Sequence, residues 1–291
     1  MLDVSDLIKE GFNHAVTLNI QQKGTKLANC VRLETQTVER YFYDQIAPTE
    51  AQDVTSRHAD TPLIQTKFDR RMVTLITSDW GDLIDREDQL KLLADPTSAY
   101  ALNAAYALGR RQDQHIVEAA LGEANSGAKG ETKVALPDSQ KISVTEESKD
   151  TGLTIEKLRK ARLILDDADV DDSEEQYCIL SAKQVSDLLT TTEITSEDYN
   201  TVKALVDGKV NTFMGFNIVR ISSSLLPIDD NNNRTVICFA KSGIVMGSLG
   251  KIKTDITTRA DKRMATQVYA SLSCGATRMI ESKVVSIMCK E

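Results

Sequence analysis

The sequence predicts an α+β fold, with β-rich segments toward both ends, one long helix, and a compact unit of short helices and buried strands between them. Three observations carry this. Val31 to Tyr43, Leu63 to Thr77 and Ala265 to Ile287 are rich in strand-forming residues, the first alternating at a period of two. Ser98 to Leu121 is an Ala-rich run without proline. Between Leu153 and Ala240, helix starts with legible caps alternate with short apolar runs.

In chain order, residues 1–30 read as an arm. Asp6 to Gly11 offers a helical turn or two, while Gly24 and the polar Gln21 to Lys26 promise little burial. From Val31 to Tyr43, Val31, Leu33, Thr35 and Thr37 fall on one face and Arg32, Glu34 and Gln36 on the other, as in a half-exposed strand leaving a core. With the polar stretch Ala47 to Asp60 and the β-rich Leu63 to Thr77, this makes a projecting hairpin. Such a hairpin is marginal unless it lies against something else. Asp95-Pro96-Thr97 starts the long helix and Gly122 ends it, a rod of about 35 Å. Leu102, Ala105, Tyr106, Gly109, Ile116 and Ala120 are expected on its packed face, opposite Asn103, Arg110, Arg111, Gln114 and Glu118.

Gly127 to Ser143 reads as a short hairpin insertion. Thr154 caps a helix over Ile155 to Leu165, with Leu153 and Leu158 as a staple; Ser181 and Gln184 form a capping box flanked by Leu180 and Val185; Thr195 caps Glu197 to Asp207. Buried strands are expected at Tyr177 to Leu180, Phe213 to Ile221 and Thr235 to Ala240.

Composition narrows the function. The 291 residues carry 35 Lys+Arg against 43 Asp+Glu, a formal charge of −8, with 41% hydrophobic and 27% charged residues, as in an ordinary globular protein. No apolar run reaches the roughly 18 residues of a membrane span, and the acidic start MLDVSDLIKE is unlike a signal peptide. Neither the charge nor any basic run favours gripping a polyanion. Cys30, Cys178, Cys238, Cys274 and Cys289 are far apart in sequence and read as small buried hydrophobes in a reducing compartment.

Chemistry-bearing motifs are sparse. His14, His58 and His115 sit in the arm, a loop tip and the long helix, and no nucleophile elbow, dinucleotide turn or phosphate-binding loop is present. Asp167, Asp169 and Asp171 have the spacing of a calcium loop, but Asp172 stands where that loop needs Gly and Cys178 where it needs Glu, so a solvated loop is expected. Asp229 to Asn233 reads as a mobile turn. No catalytic, cofactor or metal residues are expected. Arg70-Arg71 and Arg110-Arg111, with Asp69 and Asp113 close by, suggest local or intersubunit ion pairs.

The order of these parts resembles the major capsid protein of tailed double-stranded-DNA bacteriophages, the Hong Kong 97-type fold, as does the wording of KFDRRMVTLITSDWGDLIDREDQLKLLADPTSAYALNAAYALGRRQD, TSEDYNTVKALVDGKVNTFMGF and ATQVYASLSCGATRMIESKVVSI, which look like segments of podovirus-like members. The resemblance implies an N-terminal arm at 1–30, an E-loop at 31–79, a peripheral domain at 80–145 with a spine helix at 97–121, an axial domain at 146–254, and return strands of the peripheral domain at 255–291. It implies a non-enzymatic subunit that self-assembles as hexamers and pentamers into an icosahedral head, formed in the host cytoplasm around the phage DNA without sequence-specific binding. A separate scaffolding protein and a portal protein are implied partners, with a cement protein left open; no membrane and no cofactor are implied. Lys67, Asp69, Arg70, Arg71, Arg110 and Arg111 are the expected intersubunit contacts. An encapsulin-like shell, another virion component, or a soluble enzyme with an unreadable site are the alternatives.

Overall fold

The computed structural model describes residues 21–53, 56–57, 63–85, 97–146, 149–171, 173–190 and 212–291. After a 3-10 turn at Ala28–Cys30 come strands β1 (Arg32–Thr35), β2 (Arg40–Ile46), β3 (Phe68–Thr74) and β4 (Ile76–Ile84), then helix α1 (Thr97–Leu121). Short strands β5 (Ala124–Ser126), β6 (Thr132–Val134), β7 (Lys141–Ile142), β8 (Thr145–Glu146) and β9 (Lys149–Asp150) lead to α2 (Ile155–Asp167), β10 (Gln176–Leu180) and α3 (Ala182–Thr190). The chain then runs through β11 (Thr212–Phe213), β12 (Phe216–Arg220), β13 (Asn233–Ala240), β14 (Ile244–Ser248), β15 (Lys253–Arg259), β16 (Ala265–Arg278) and β17 (Val284–Lys290). The segments 1–20 and 191–211, including the helix expected after Thr195, lie outside the described residues.

Two sheets share one core. In the five-stranded sheet β16 pairs antiparallel with β4 along one edge, from Thr266↔Ile84 to Cys274↔Ile76, and with β14 and β15 in succession along the other; β1 adds parallel to β14. The six-stranded sheet has the order β11-β12-β10-β13-β17-β7. Its residues alternate between two cores, as strand periodicity requires. Ile179, Ile237, Phe239 and Val284 join α1 and the five-stranded sheet, while Cys178, Leu180, Val236, Cys238, Val285 and Ile287 join α2 and α3. The hairpin β2-β3 extends through β5 and β6 as a third sheet.

Several expectations change. The single strand over Val31 to Tyr43 is two strands in different sheets. Gln36, expected on the exposed face, is buried, its Nε2 donating to Tyr43 Oη at 2.9 Å, whereas Leu33 is half exposed. Phe213 to Ile221 is likewise split, by Met214 and Gly215 at φ of 51° and 82°. The packed face of the helix is only partly the expected one: Gly109, Ile116 and Ala120 are buried, but so are Ala104, Leu108 and Asp113, and Leu102 is 49% exposed. Hydrophobicity favoured Leu102, yet part of α1 is covered by a backbone rather than by side chains. A methyl at Gly109 would stand 2.6 Å from the Gly24 carbonyl carbon. β17, expected to return with the strands beside the long helix, lies in the six-stranded sheet. The caps of α2 and α3 are as read, Thr154 Oγ1 accepting from Lys157 N at 3.2 Å and Ser181 N donating to Gln184 Oε1 at 3.1 Å.

Two buried cations tie these layers together. Arg278, fully buried at the end of β16, donates from Nη1 to the carbonyls of Ala120 (2.9 Å) and Gly122 (2.8 Å) and from Nη2 to Val134 O (2.8 Å). It therefore closes the C-terminal end of α1, where helix carbonyls lack partners and a positive charge is favoured. Glu281 balances it, 3.8 Å from Arg278 Nε and 3.0 Å from Arg71 Nη2. Lys157 is also buried, its three protons shared among the carbonyls of Val144, Thr151, Gly152 and Met288 at 2.9–3.1 Å, joining α2 to β17. Burial pulls its pKa below that of an ordinary lysine.

Replacing Arg278 by Met strands three carbonyls in the core; urea unfolding should show a loss of about 3 to 5 kcal/mol. Arg278→Lys should recover little, since one ammonium cannot span both the helix end and Val134. A second expectation concerns acid. Burial would raise the Glu174 carboxyl, but Lys283 Nζ and Ser242 N, each at 2.6 Å, outweigh it and hold the pKa below the ordinary 4.5. A depressed carboxylate stabilises the fold above its unfolded pKa and loses that contribution as the pH falls through the folded one. Glu174→Gln should thus flatten the fall in melting temperature below about pH 4.5; an unchanged acid profile refutes this.

Candidate assembly surface

The hairpin is built from the ladder β2-β3, running from Arg40↔Thr74 to Ile46↔Phe68 and continued by Ala47 N donating to Lys67 O at 2.9 Å. One face is anchored: Tyr43 and Val73 pack with Val245 and Met279. Toward the tip nothing comparable covers the apolar side chains that are described, and Phe68 is 73% and Leu63 87% exposed, with Ile46 also exposed. The Met279 carbonyl accepts from Arg71 Nε (3.2 Å) and Gln45 Nε2 (2.8 Å), so the hairpin is fixed from its root to the Gln45↔Asp69 rung and open beyond it.

The charged residues singled out in sequence divide accordingly. Arg71 is buried against Glu281 and lies 3.5 Å from Asp69. Arg70, above the Phe42 ring at 5.4 Å, pairs with Asp44 at 2.6 Å. Asp69 accepts from Ser126 Oγ at 2.7 Å, which holds its pKa below the usual value. Lys67 is exposed. Arg110 Nη1 donates to Gln21 Oε1 at 2.7 Å, and Arg111 lies 3.6 Å from Glu118.

Asp113, in sequence a companion of Arg110-Arg111, has a different task. Fully buried, it accepts hydrogen bonds from Lys26 N (3.0 Å to Oδ2), Leu27 N (3.1 Å to Oδ1), Thr25 Oγ1 and Gln22 Nε2. These bind residues 22–27 across α1 where Gly109 leaves room for the backbone. The signal was present in sequence as a Gly and an Asp one turn apart, opposite a Gly-Thr turn, but only the fold pairs them. Just beyond this strap, an open groove of about 590 Å³ runs beside β1, whose outer edge has no strand partner among the described residues, lined by Val31, Leu33, Lys241 and Ser242 among others.

Little of the remaining acidic and nucleophilic chemistry converges. Asp167 ends α2, Asp169 is in a left-handed turn at φ 53°, Asp171 accepts from Ser173 N, and Glu174 and Glu175 pair with Lys283 and Lys241. Asp229 closes an ordered turn by accepting from the amides of Asn231 and Asn233. His115 is buried on α1, while His14 and His58 lie outside the described residues. Among the described residues no group of three or more His, Cys, Asp or Glu is placed to hold a metal, and no helix is long and apolar enough to cross a membrane.

A family described as phage capsid protein matches residues 4–291. The chain belongs to the phage capsid protein family. Solved capsids agree with the architecture. The capsid of Ralstonia phage GP4 superposes with a TM-score of 0.75 at 11% identity, over 97% of this chain and 95% of that one. The capsid of Cyanophage P-SCSP1u gives 0.72 at 18%, over 99% and 94%, and a Mycobacterium phage Che8 chain 0.70 at 14%, over 96% of each. A comparison with curated proteins finds no significant match. The fold is the Hong Kong 97-type capsid fold, and the capsid protein is a structural subunit of the phage head.

If Asp113 holds the strap, Asp113→Ala should speed hydrogen exchange at the Lys26 and Leu27 amides by about tenfold or more while the β16 amides keep their protection. Equal exchange in the two proteins counts against that role.

Proposed function

We propose that this capsid protein forms hexamers and pentamers of an icosahedral head around double-stranded DNA, with residues 31–79 as the E-loop that reaches a neighbouring copy. The observation that carries this is the hairpin with a fixed root and an uncovered apolar end. Exposed apolar side chains on a projecting element gain burial only from another molecule, and a closed shell repeats one such contact many times. Residues 80–145 and, of the strands after 255, β16 serve as the peripheral domain around the spine helix, and 146–254 as the axial domain, whose six-stranded sheet β17 joins. Of the charged contacts, Lys67 and Arg70 are the ones placed to meet a neighbour; Arg71 and Arg110 act through the root and the strap that present them.

Scaffolding and portal proteins complete the assembly in the host cytoplasm. A net charge of −8 leaves the packaged genome ungripped, since a polyanion is held by clustered cations. Expression of wild-type and Phe68→Asp proteins with the phage's scaffold, followed by electron microscopy, tests the reading. Wild type should give icosahedral particles. The variant should remain folded by circular dichroism yet form few or none. Particles at wild-type yield from Phe68→Asp would overturn the contact, and protein cargo in place of DNA in particles from infected cells would point to a compartment shell.

A further inference from the structure

All five cysteines are free and buried, and two of them face each other. Cys178 and Cys238 are direct partners in the antiparallel β10-β13 ladder, with their Sγ atoms 3.3 Å apart. Directly opposed residues in such a ladder have Cα atoms about 4.5 to 5.5 Å apart, inside the window a disulfide requires. The register alone therefore brings the two sulfurs within a small shift of bonding distance. Cys289 shares this core but stands opposite Arg234, four residues along β13 from Cys238, or about 13 Å, too far for a bridge. Cys30 and Cys274 belong to the core on the other side of the sheet.

We propose that Cys178 and Cys238 are an oxidative modification site, a dithiol that assembles reduced and closes to a disulfide when the subunit meets a small peroxide oxidant. One thiol takes an oxygen atom from hydrogen peroxide, becoming a sulfenic acid and releasing one water. The facing thiol then displaces that hydroxyl, forming the S–S bond and releasing a second water, so two thiols are oxidised as one peroxide is reduced. The pair is guarded beforehand. The Cys178 contact and burial both push the Cys238 thiol well above its ordinary pKa, so little of the nucleophilic thiolate forms while the sheet is closed. A small neutral oxidant entering during local opening is the matching reagent. A reducing cytosol keeps the pair open during folding, and the bond forms after release into oxidising surroundings. It would join two central strands of the sheet shared by both cores, across 60 residues of chain.

The test uses the full-length reduced protein treated with hydrogen peroxide, with and without sub-denaturing urea, then alkylated and mapped by mass spectrometry. Expected are a loss of about 2 Da, a peptide joining residues 178 and 238, reversal by dithiothreitol, and an unfolding midpoint raised by about 3 °C or more. Cys289→Ala should leave all of this intact, and Cys178→Ala should abolish it; if Cys178→Ala does not fold, the peptide map of the unmodified chain decides. Sulfinic or sulfonic acid on either cysteine without the joined peptide, a bridge to Cys289, or thiols unchanged even in urea would overturn the proposal. The bond is within one chain, so the outcome is independent of whether heads form.

Discussion

A guanidinium sealed from water at the end of the longest strand sets how the neighbouring parts meet. A buried cation is tolerated only where acceptors surround it, so the position of Arg278 obliges the end of α1, the strand β6 and the loop after β16 to converge on one point. Glu281 then answers two cations at once, Arg278 and Arg71, and through Arg71 the root of the hairpin is drawn to the same place. Where β3 gives way to β4 beside this junction, a side chain at Gly275 would run into the Thr74 carbonyl, so only glycine lets the strands cross. The helix, the five-stranded sheet and the hairpin with its sheet are thus indexed to a few residues, and the groups that face outward inherit their geometry from them.

The parts that sequence revealed are those fixed by local chemistry. Thr154 and the Ser181–Gln184 box announce their helices because a cap is a contact over three residues, and the hairpin is legible from two β-rich runs around a polar tip. What escaped depends on partners far along the chain. Gln36 looked solvent-facing because nothing nearby reveals that Tyr43 and Ser248 will meet it. The packed side of α1 was read only in part: Gly109, Ile116 and Ala120 are buried as expected, but Asp113, receiving a backbone, carries no hydrophobic signal, and Leu102 is exposed. β15, KTDITTR, has no buried residue, so no apolar alternation marks it, although β-branched residues line it. The strand-forming residues of β17 announced a strand but not its neighbours, so its sheet was misplaced. Of the assembly surface, the hairpin and the charge of its residues were visible; which charges are consumed inside the subunit was not.

The division between satisfied and unsatisfied surface suits a shell subunit. Buried ions and the strap at Asp113 tie the body together from within, while the apolar side chains at the hairpin end are exposed and, on the function proposed above, gain burial from another copy. In a closed assembly each contact can be weak, because many identical ones close the same surface. Weak contacts also permit errors of assembly to be undone before the shell is complete, which a subunit that bound its neighbours irreversibly would not allow.

The pairing of β4 with β16 extends over nine residues without interruption, with β15 and β14 following on the opposite edge. Its bonds lie across the strand direction. A pull along the strands therefore strains the whole ladder in concert, whereas a pull at right angles would open it like a zipper, one rung after another. A wall inflated from within is stretched in its own plane, so a subunit that sets these strands along the direction of stretch meets the swelling of a filled head with its stiffest axis.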